Sequence, residues 1–145
     1  MDGNLSLNLH VLVARLDRAA DRILRAEHNI SYSRFLALTL VGELGVSTQR
    51  ALADGLGVTE PSVSRMTGVL AAEGLVDVQP DPAGGNRRQL SLTDEGKRLV
   101  ATLRQEFEEK LAALVADSGV PYAEFAEHTE RLLATLDRVE RESTK

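Results

Sequence analysis

Between residues 47 and 74 the chain reads STQRALADGLGVTEPSVSRMTGVLAAEG, and one spacing inside it limits the possible folds more than any other feature. Ala53, Gly57, Val63 and Met66 follow one another at steps of four, six and three residues. A small residue at 53 lets two helices cross closely. Gly57 supplies the positive φ of a tight turn. Val63 and Met66 can seat the second helix on the first. Ser47 is placed to cap the first helix, TQRALADGL, and Thr59 to cap the second. Pro61 is tolerated in the second helix's first turn, where its missing N–H has no intrahelical acceptor anyway. Together these features predict a helix-turn-helix.

The flanks extend it. Leu75, Val76 and Val78 read as a short strand after Gly74, and Gln89 to Leu92 as a second. The connection DPAGGNRR could in principle cradle a phosphate, but a phosphate loop runs from strand into helix and this one returns to a strand. A helix-turn-helix followed at once by a hairpin is a winged helix. Thr93 caps the next helix, with Asp94 and Glu95 in the first turn, where the helix dipole favours anions. Leu99, Leu103, Phe107, Leu111 and Leu114 form its apolar stripe. Ser118, Gly119 and Pro121 interrupt it, and Pro121 suits the first turn of a final helix carrying Phe125, Leu132, Leu133, Leu136 and Val139. Upstream, Leu5, Leu9, Leu12, Leu16 and Ile23 give a helix over 5–27. Ser31 caps another that carries Phe35, Leu38, Val41 and Leu44 and stops at Gly45.

The expected fold class is therefore mainly α with a small β-hairpin wing: a winged helix-turn-helix core flanked by N- and C-terminal dimerisation helices. The expected organisation is one domain over 1–145, with the winged lobe at 31–96 and a helical dimerisation region at 1–28 and 97–145. One small core cannot cover three further amphipathic helices. They are expected to pack together and against a second copy; the alternative is a monomer in which they cover one another.

Composition removes other classes. The 145 residues include no cysteine, so disulfides, thiol catalysis and cysteine-ligated zinc are excluded. No apolar run reaches the roughly 18 residues of a membrane span, and MDGNLSLNLH lacks the basic start of a signal peptide. A cytoplasmic protein with no membrane partner is expected. Tyr32, Phe35, Phe107, Tyr122 and Phe125 are too few for a base-stacking platform. His10, His28 and His128 are scattered, so no metal is expected. No nucleophile–base pair or carboxylate dyad stands out, so neither an enzyme nor a cofactor is expected. The net charge of −5 argues against a generic polyanion binder.

The run TQRALADGLGVTEPSVSRMTGVLAAEGLV, the hairpin after it and LSLTDEGKRL together resemble the multiple antibiotic resistance regulator (MarR) family of transcription factors. The resemblance covers essentially the whole chain. It implies a homodimer that binds a palindromic site in double-stranded DNA, usually as a repressor, and is often released by small anionic or aromatic compounds. It makes 59–73 the recognition helix, with Thr59, Glu60, Pro61, Ser62, Ser64 and Arg65 presented to the major groove. Short hydroxyls permit close approach, helix-terminal N–H groups can bind phosphate, and an arginine fork suits guanine or phosphate. Glu60 can accept from a cytosine amino group or simply favour the helix dipole. Thr48 and Gln49 are expected phosphate contacts. Arg15, Tyr32 and Phe107, with His10 nearby, match pocket positions where an arginine would neutralise a carboxylate and aromatics would pack on a ring. The bland alternative makes Tyr32 and Phe107 core and Arg15 one half of an ion pair.

The wing departs from the family pattern. Where relatives carry Asp-Arg-Arg at the tip, this chain has Gly84, Gly85 and Asn86. Arg87 and Arg88 lie further along, at the start of the returning strand. Three outcomes stay open: Arg87 reaches the minor groove from the strand, the wing contacts only phosphates, or it contributes little. From 46 to 96, four arginines face seven acids, a net of −3. Modest, strongly salt-sensitive DNA binding is expected, and a winged-helix protein-interaction module that has lost DNA is the competing reading.

Overall fold

The structure is a computed structural model and describes residues 3–85 and 87–145. The chain divides into two compact units, Met1–Leu103 and Arg104–Lys145. In chain order its elements are α1 (Leu5–His28), α2 (Tyr32–Leu44), β1 (Ser47–Thr48), α3 (Gln49–Leu56), α4 (Glu60–Ala72), β2 (Val76–Pro80), β3 (Arg88–Leu92), α5 (Asp94–Ser118) and α6 (Tyr122–Ser143). The mainly helical winged-helix fold expected from the sequence is the fold observed. No described helix is long and apolar enough to cross a membrane.

The first unit is built around the helix-turn-helix. Leu38, Val41, Leu52, Val63, Leu70, Leu90 and Leu103 are fully buried and form its core. Each fully buried leucine or valine contributes about 1.5–3 kcal/mol. Ala53 is 3% exposed and Gly57 takes φ 69°, so the close crossing and the turn are where the spacing predicts. The second helix is seated by Val63, Thr67 and Leu70, whereas Met66 is only half-buried. A buried threonine replaces the expected methionine contact because Thr67 finds polar partners, described below.

Two local expectations are corrected. Thr48 caps α3, its Oγ1 accepting from the Ala51 N–H at 3.1 Å. Ser47 is instead buried in β1. The wing is also more than a hairpin: β1 pairs antiparallel with β3 through Ser47↔Leu90 and Thr48↔Gln89, giving a three-stranded sheet in the order β1-β3-β2. A two-residue strand carries no periodicity, so the sequence pattern could not reveal it. β2 and β3 pair from Val76↔Leu92 to Pro80↔Arg88, which turns Val76 and Leu90 inward and leaves Asp77 and Gln79 exposed.

Thr93 joins the wing to α5. Its hydroxyl donates to the Gly74 carbonyl at 2.6 Å, and the same oxygen accepts from the Gly96 N–H at 3.0 Å. Its own N–H donates to the Leu75 carbonyl at 3.1 Å. Gly96 is buried so tightly here that an added Cβ would stand 2.1 Å from the Leu75 carbonyl oxygen. Ser31 caps α2 by accepting from the Arg34 N–H at 3.2 Å. The α1–α2 connection turns at Asn29, in the left-handed region at φ 53°, and is held where Asp21 accepts from the Tyr32 N–H at 2.9 Å.

In the second unit, the Tyr122 hydroxyl donates to the Glu108 carboxylate at 3.1 Å. α6 has no buried residue.

Gly96→Ala is expected to destabilise the protein by about 2 kcal/mol, because the obstructing atom is backbone and cannot rotate away. Gly68→Ala, where nothing lies within 4 Å of the new Cβ, is expected to be neutral or slightly stabilising. Urea denaturation of the two variants checks the contrast.

Candidate nucleic-acid interface

The N-terminal end of α4 is organised by its own hydroxyls. Thr59 Oγ1 accepts from the Ser62 N–H at 3.3 Å and donates to Ser62 Oγ at 3.0 Å. Arg65 Nη2 donates to the same Ser62 oxygen at 3.4 Å, the long end of a hydrogen bond. Ser62 Oγ thus accepts from two neighbours, and its own proton is left to give outward. The arginine is tethered within one helical turn of Ser62. Thr48 behaves alike: its oxygen is occupied by the α3 cap and its hydroxyl proton remains for an external acceptor.

A concave groove of about 670 Å³ opens beside this end of α4. It is lined by Thr48, Gln49 and Arg50 from the start of α3, by Glu60, Pro61 and Ser64 from α4, and by Arg87 and Arg88 from the wing. Seven residues singled out in the sequence therefore meet on one surface although they lie up to 40 positions apart. Thr59, Ser62 and Arg65 belong to the same helix end but do not line the groove. Asn86, also expected at the wing, lies outside the described residues.

Arg50 is the groove residue that sequence reasoning missed. It entered only as a charge. The signal available was its position directly after Thr48-Gln49, in the first turn of the capped helix. With Arg87 and Arg88 it sets three guanidinium groups against the single carboxylate of Glu60, a local charge of +2 on a lobe whose sequence sums to −3.

The wing tip is a tight turn. Gly84 N–H donates to the Asp81 carbonyl at 2.9 Å, and the Asp81 side chain accepts from the Ala83 N–H at 3.0 Å. Asp81 N–H closes the loop onto the Arg87 carbonyl at 3.0 Å. Gly84 and Gly85 take φ of 90° and 72°, a conformation charged side chains seldom adopt. The charge lies beyond this turn, at Arg87 and at Arg88, which opens β3.

The residues expected to take a small ligand sit in a different chemical setting. His10 and Arg15 are exposed on α1. Tyr32 is half-buried, with its ring 6.4 Å from that of Phe35. Burial, and the hydrogen bond its hydroxyl makes with Asp17, push its phenol up to about 12. Asp21, beside it, is held below the usual carboxylate range by the Tyr32 N–H and by Arg25. The surroundings of Tyr32 are thus acidic. Phe107 is half-buried on α5 in the second unit.

Comparison with known proteins agrees with this architecture. A sequence model described as MarR family matches residues 28–85. An HTH-type transcriptional regulator of Mycobacterium bovis is 34% identical over 115 residues, covering 79% of this chain and 80% of the relative. A mutant of MarR from E. coli solved with operator DNA superposes with a TM-score of 0.72 at 22% identity, covering 91% of this chain and 92% of the other. The regulator NadR solved with 4-hydroxyphenylacetate gives 0.76 at 25% identity, covering 92% of each chain. The chain is a winged helix-turn-helix transcriptional regulator and not an enzyme. It belongs to the MarR family.

Arg87→Ala and Arg88→Ala are each expected to lower the slope of log affinity against log salt by about 1 while leaving sequence preference unchanged, as for arginines bound to phosphate. Fluorescence anisotropy over a salt series checks this; a base preference lost at one position would place that arginine in a groove instead.

Proposed function

We propose that this protein is a homodimeric repressor that reads a palindromic promoter site with α4 in the major groove and the wing alongside. The observation that carries the reading is the groove itself. It gathers the start of α3, the N-terminal end of α4 and the two wing arginines around a positive centre, on a chain that is acidic overall. Helix-terminal N–H groups, outward hydroxyl protons and guanidinium groups are what a phosphate backbone recognises. Arg65, tethered through Ser62, supplies a fork that fits guanine O6 and N7.

Two uncovered apolar faces support the dimer. On α6, Leu132, Leu133, Leu136 and Val139 are 44–67% exposed. On the N-terminal half of α1, Leu5, Leu9, Leu12 and Val13 share one side and are 42–69% exposed. Patches of this kind mark association surfaces, and pairing two lobes by a twofold axis matches a palindromic site. Release by a small aromatic compound completes the reading, on the analogy of NadR and its aromatic acid.

Arg65→Ala is expected to abolish binding to the protein's own upstream DNA in a gel shift, with the oligomeric state unchanged. Failure of the unaltered protein to bind that DNA even at low salt would overturn the proposal. Leu133→Asp with Leu136→Asp is expected to give a monomer in sedimentation velocity and to weaken operator binding at least tenfold, since each lobe then binds one half-site alone.

A further inference from the structure

Gln49 was expected to serve as a phosphate contact, which asks only for donors. The hydrogen bonds around it define a more specific arrangement. Its Nε2 donates to Thr67 Oγ1 at 3.2 Å, between the first residue of α3 and the middle of α4. Thr67 is 1% exposed, so its hydroxyl has no water to turn to. The hydroxyl's one proton goes to the Ser64 carbonyl at 3.2 Å. Only lone pairs are left to face Gln49. The amide of Gln49 accordingly presents its NH2 group to Thr67 and its oxygen to the groove side.

That orientation has a consequence for recognition. Gln49 lines the groove beside Arg50, Ser64 and the wing arginines. With one N–H spent on Thr67, it retains one donor and one acceptor. Adenine offers a matching pair in the major groove, an N6 amino donor beside the N7 acceptor. Guanine offers two acceptors, O6 and N7. We propose that Gln49 reads an adenine in each half-site and that Thr67 is the positioning residue that orients it. The proposal rests on the reading of this groove as the DNA interface. It adds a base reader on α3 to those on the recognition helix, and it gives the buried Thr67 hydroxyl a role that packing alone does not require.

The test starts from selection on randomised double-stranded DNA with the full-length protein. Affinities follow for the selected duplex and all its single-base variants. Thr67→Val keeps the volume and removes both hydrogen bonds. It is expected to erase, by about tenfold, the preference for A at one position per half-site, a good bidentate contact being worth roughly that. Affinity for unrelated DNA and the salt slope should stay at their original values. Gln49→Ala should lose the same preference at the same position. The double variant should lose no more than either single, and Thr67→Ser should restore the original preference. A Thr67→Val protein that keeps every base preference overturns the proposal. So does one that weakens all sequences equally, or whose loss adds in full to that of Gln49→Ala, since each would make Thr67 a packing residue only. If the unaltered protein selects no sequence at all, the reading of the interface fails first and the proposal with it. That outcome is distinct from selection of a site in which Thr67 plays no part.

Discussion

The hydroxyl of Thr93 sits where three parts of the winged lobe meet. By donating to Gly74 and accepting from Gly96, it ties the end of the recognition helix to the start of α5, while its N–H anchors the entry to β2 at Leu75. Gly96 allows this because no side chain intervenes between α5 and the Leu75 carbonyl. The position of the wing relative to α4, and so the groove between them, depends on this junction. A capping residue that would ordinarily stabilise one helix end by about 1 kcal/mol here also fixes the angle at which a strand leaves another helix.

Much of this was legible in the sequence. The Ala53–Gly57–Val63 spacing located the helix-turn-helix because each residue answers a steric demand that few others meet. Ser31, Thr59 and Thr93 announced helix starts because short hydroxyls satisfy orphan N–H groups. What was not legible depends on partners distant along the chain. β1 exists only because Leu90 and Gln89 come to pair with Ser47 and Thr48, and that contact moved the α3 cap from Ser47 to Thr48. Met66 was expected to seat α4, but the seat is Thr67, whose hydroxyl is tolerable inside only because Gln49 and the Ser64 carbonyl meet it. Of the residues singled out in the sequence for the interface, Thr48, Gln49, Glu60, Pro61, Ser64, Arg87 and Arg88 line the groove, Thr59, Ser62 and Arg65 do not, and the groove also takes in Arg50. Its role as a groove wall follows from the placement of β3 and not from its neighbours in sequence.

The electrostatics show why summed charge along a chain misleads about a surface. The lobe is acidic by sequence, yet several of its carboxylates are engaged elsewhere. Asp81 is consumed in closing the wing turn. Glu73 lies 3.6 Å from Arg34 at the far end of α4. Asp94 and Glu95 sit in the first turn of α5, facing its dipole. Arg50, Arg87 and Arg88, by contrast, converge on the groove. Separation of this kind keeps a local positive field within a chain whose overall charge discourages indiscriminate attachment to nucleic acid.

The three-stranded sheet presents two short, guarded edges. Its outer strands are β1, which is two residues long, and β2, which ends in Pro80 and exposes Asp77. A strand so short offers no template, and a proline and an acid on the opposite rim remove a donor and add a charge where a foreign strand would have to pair. Strand addition is therefore closed to this lobe on both sides. The small sheet can carry arginines on a projecting hairpin without becoming a seed for aggregation.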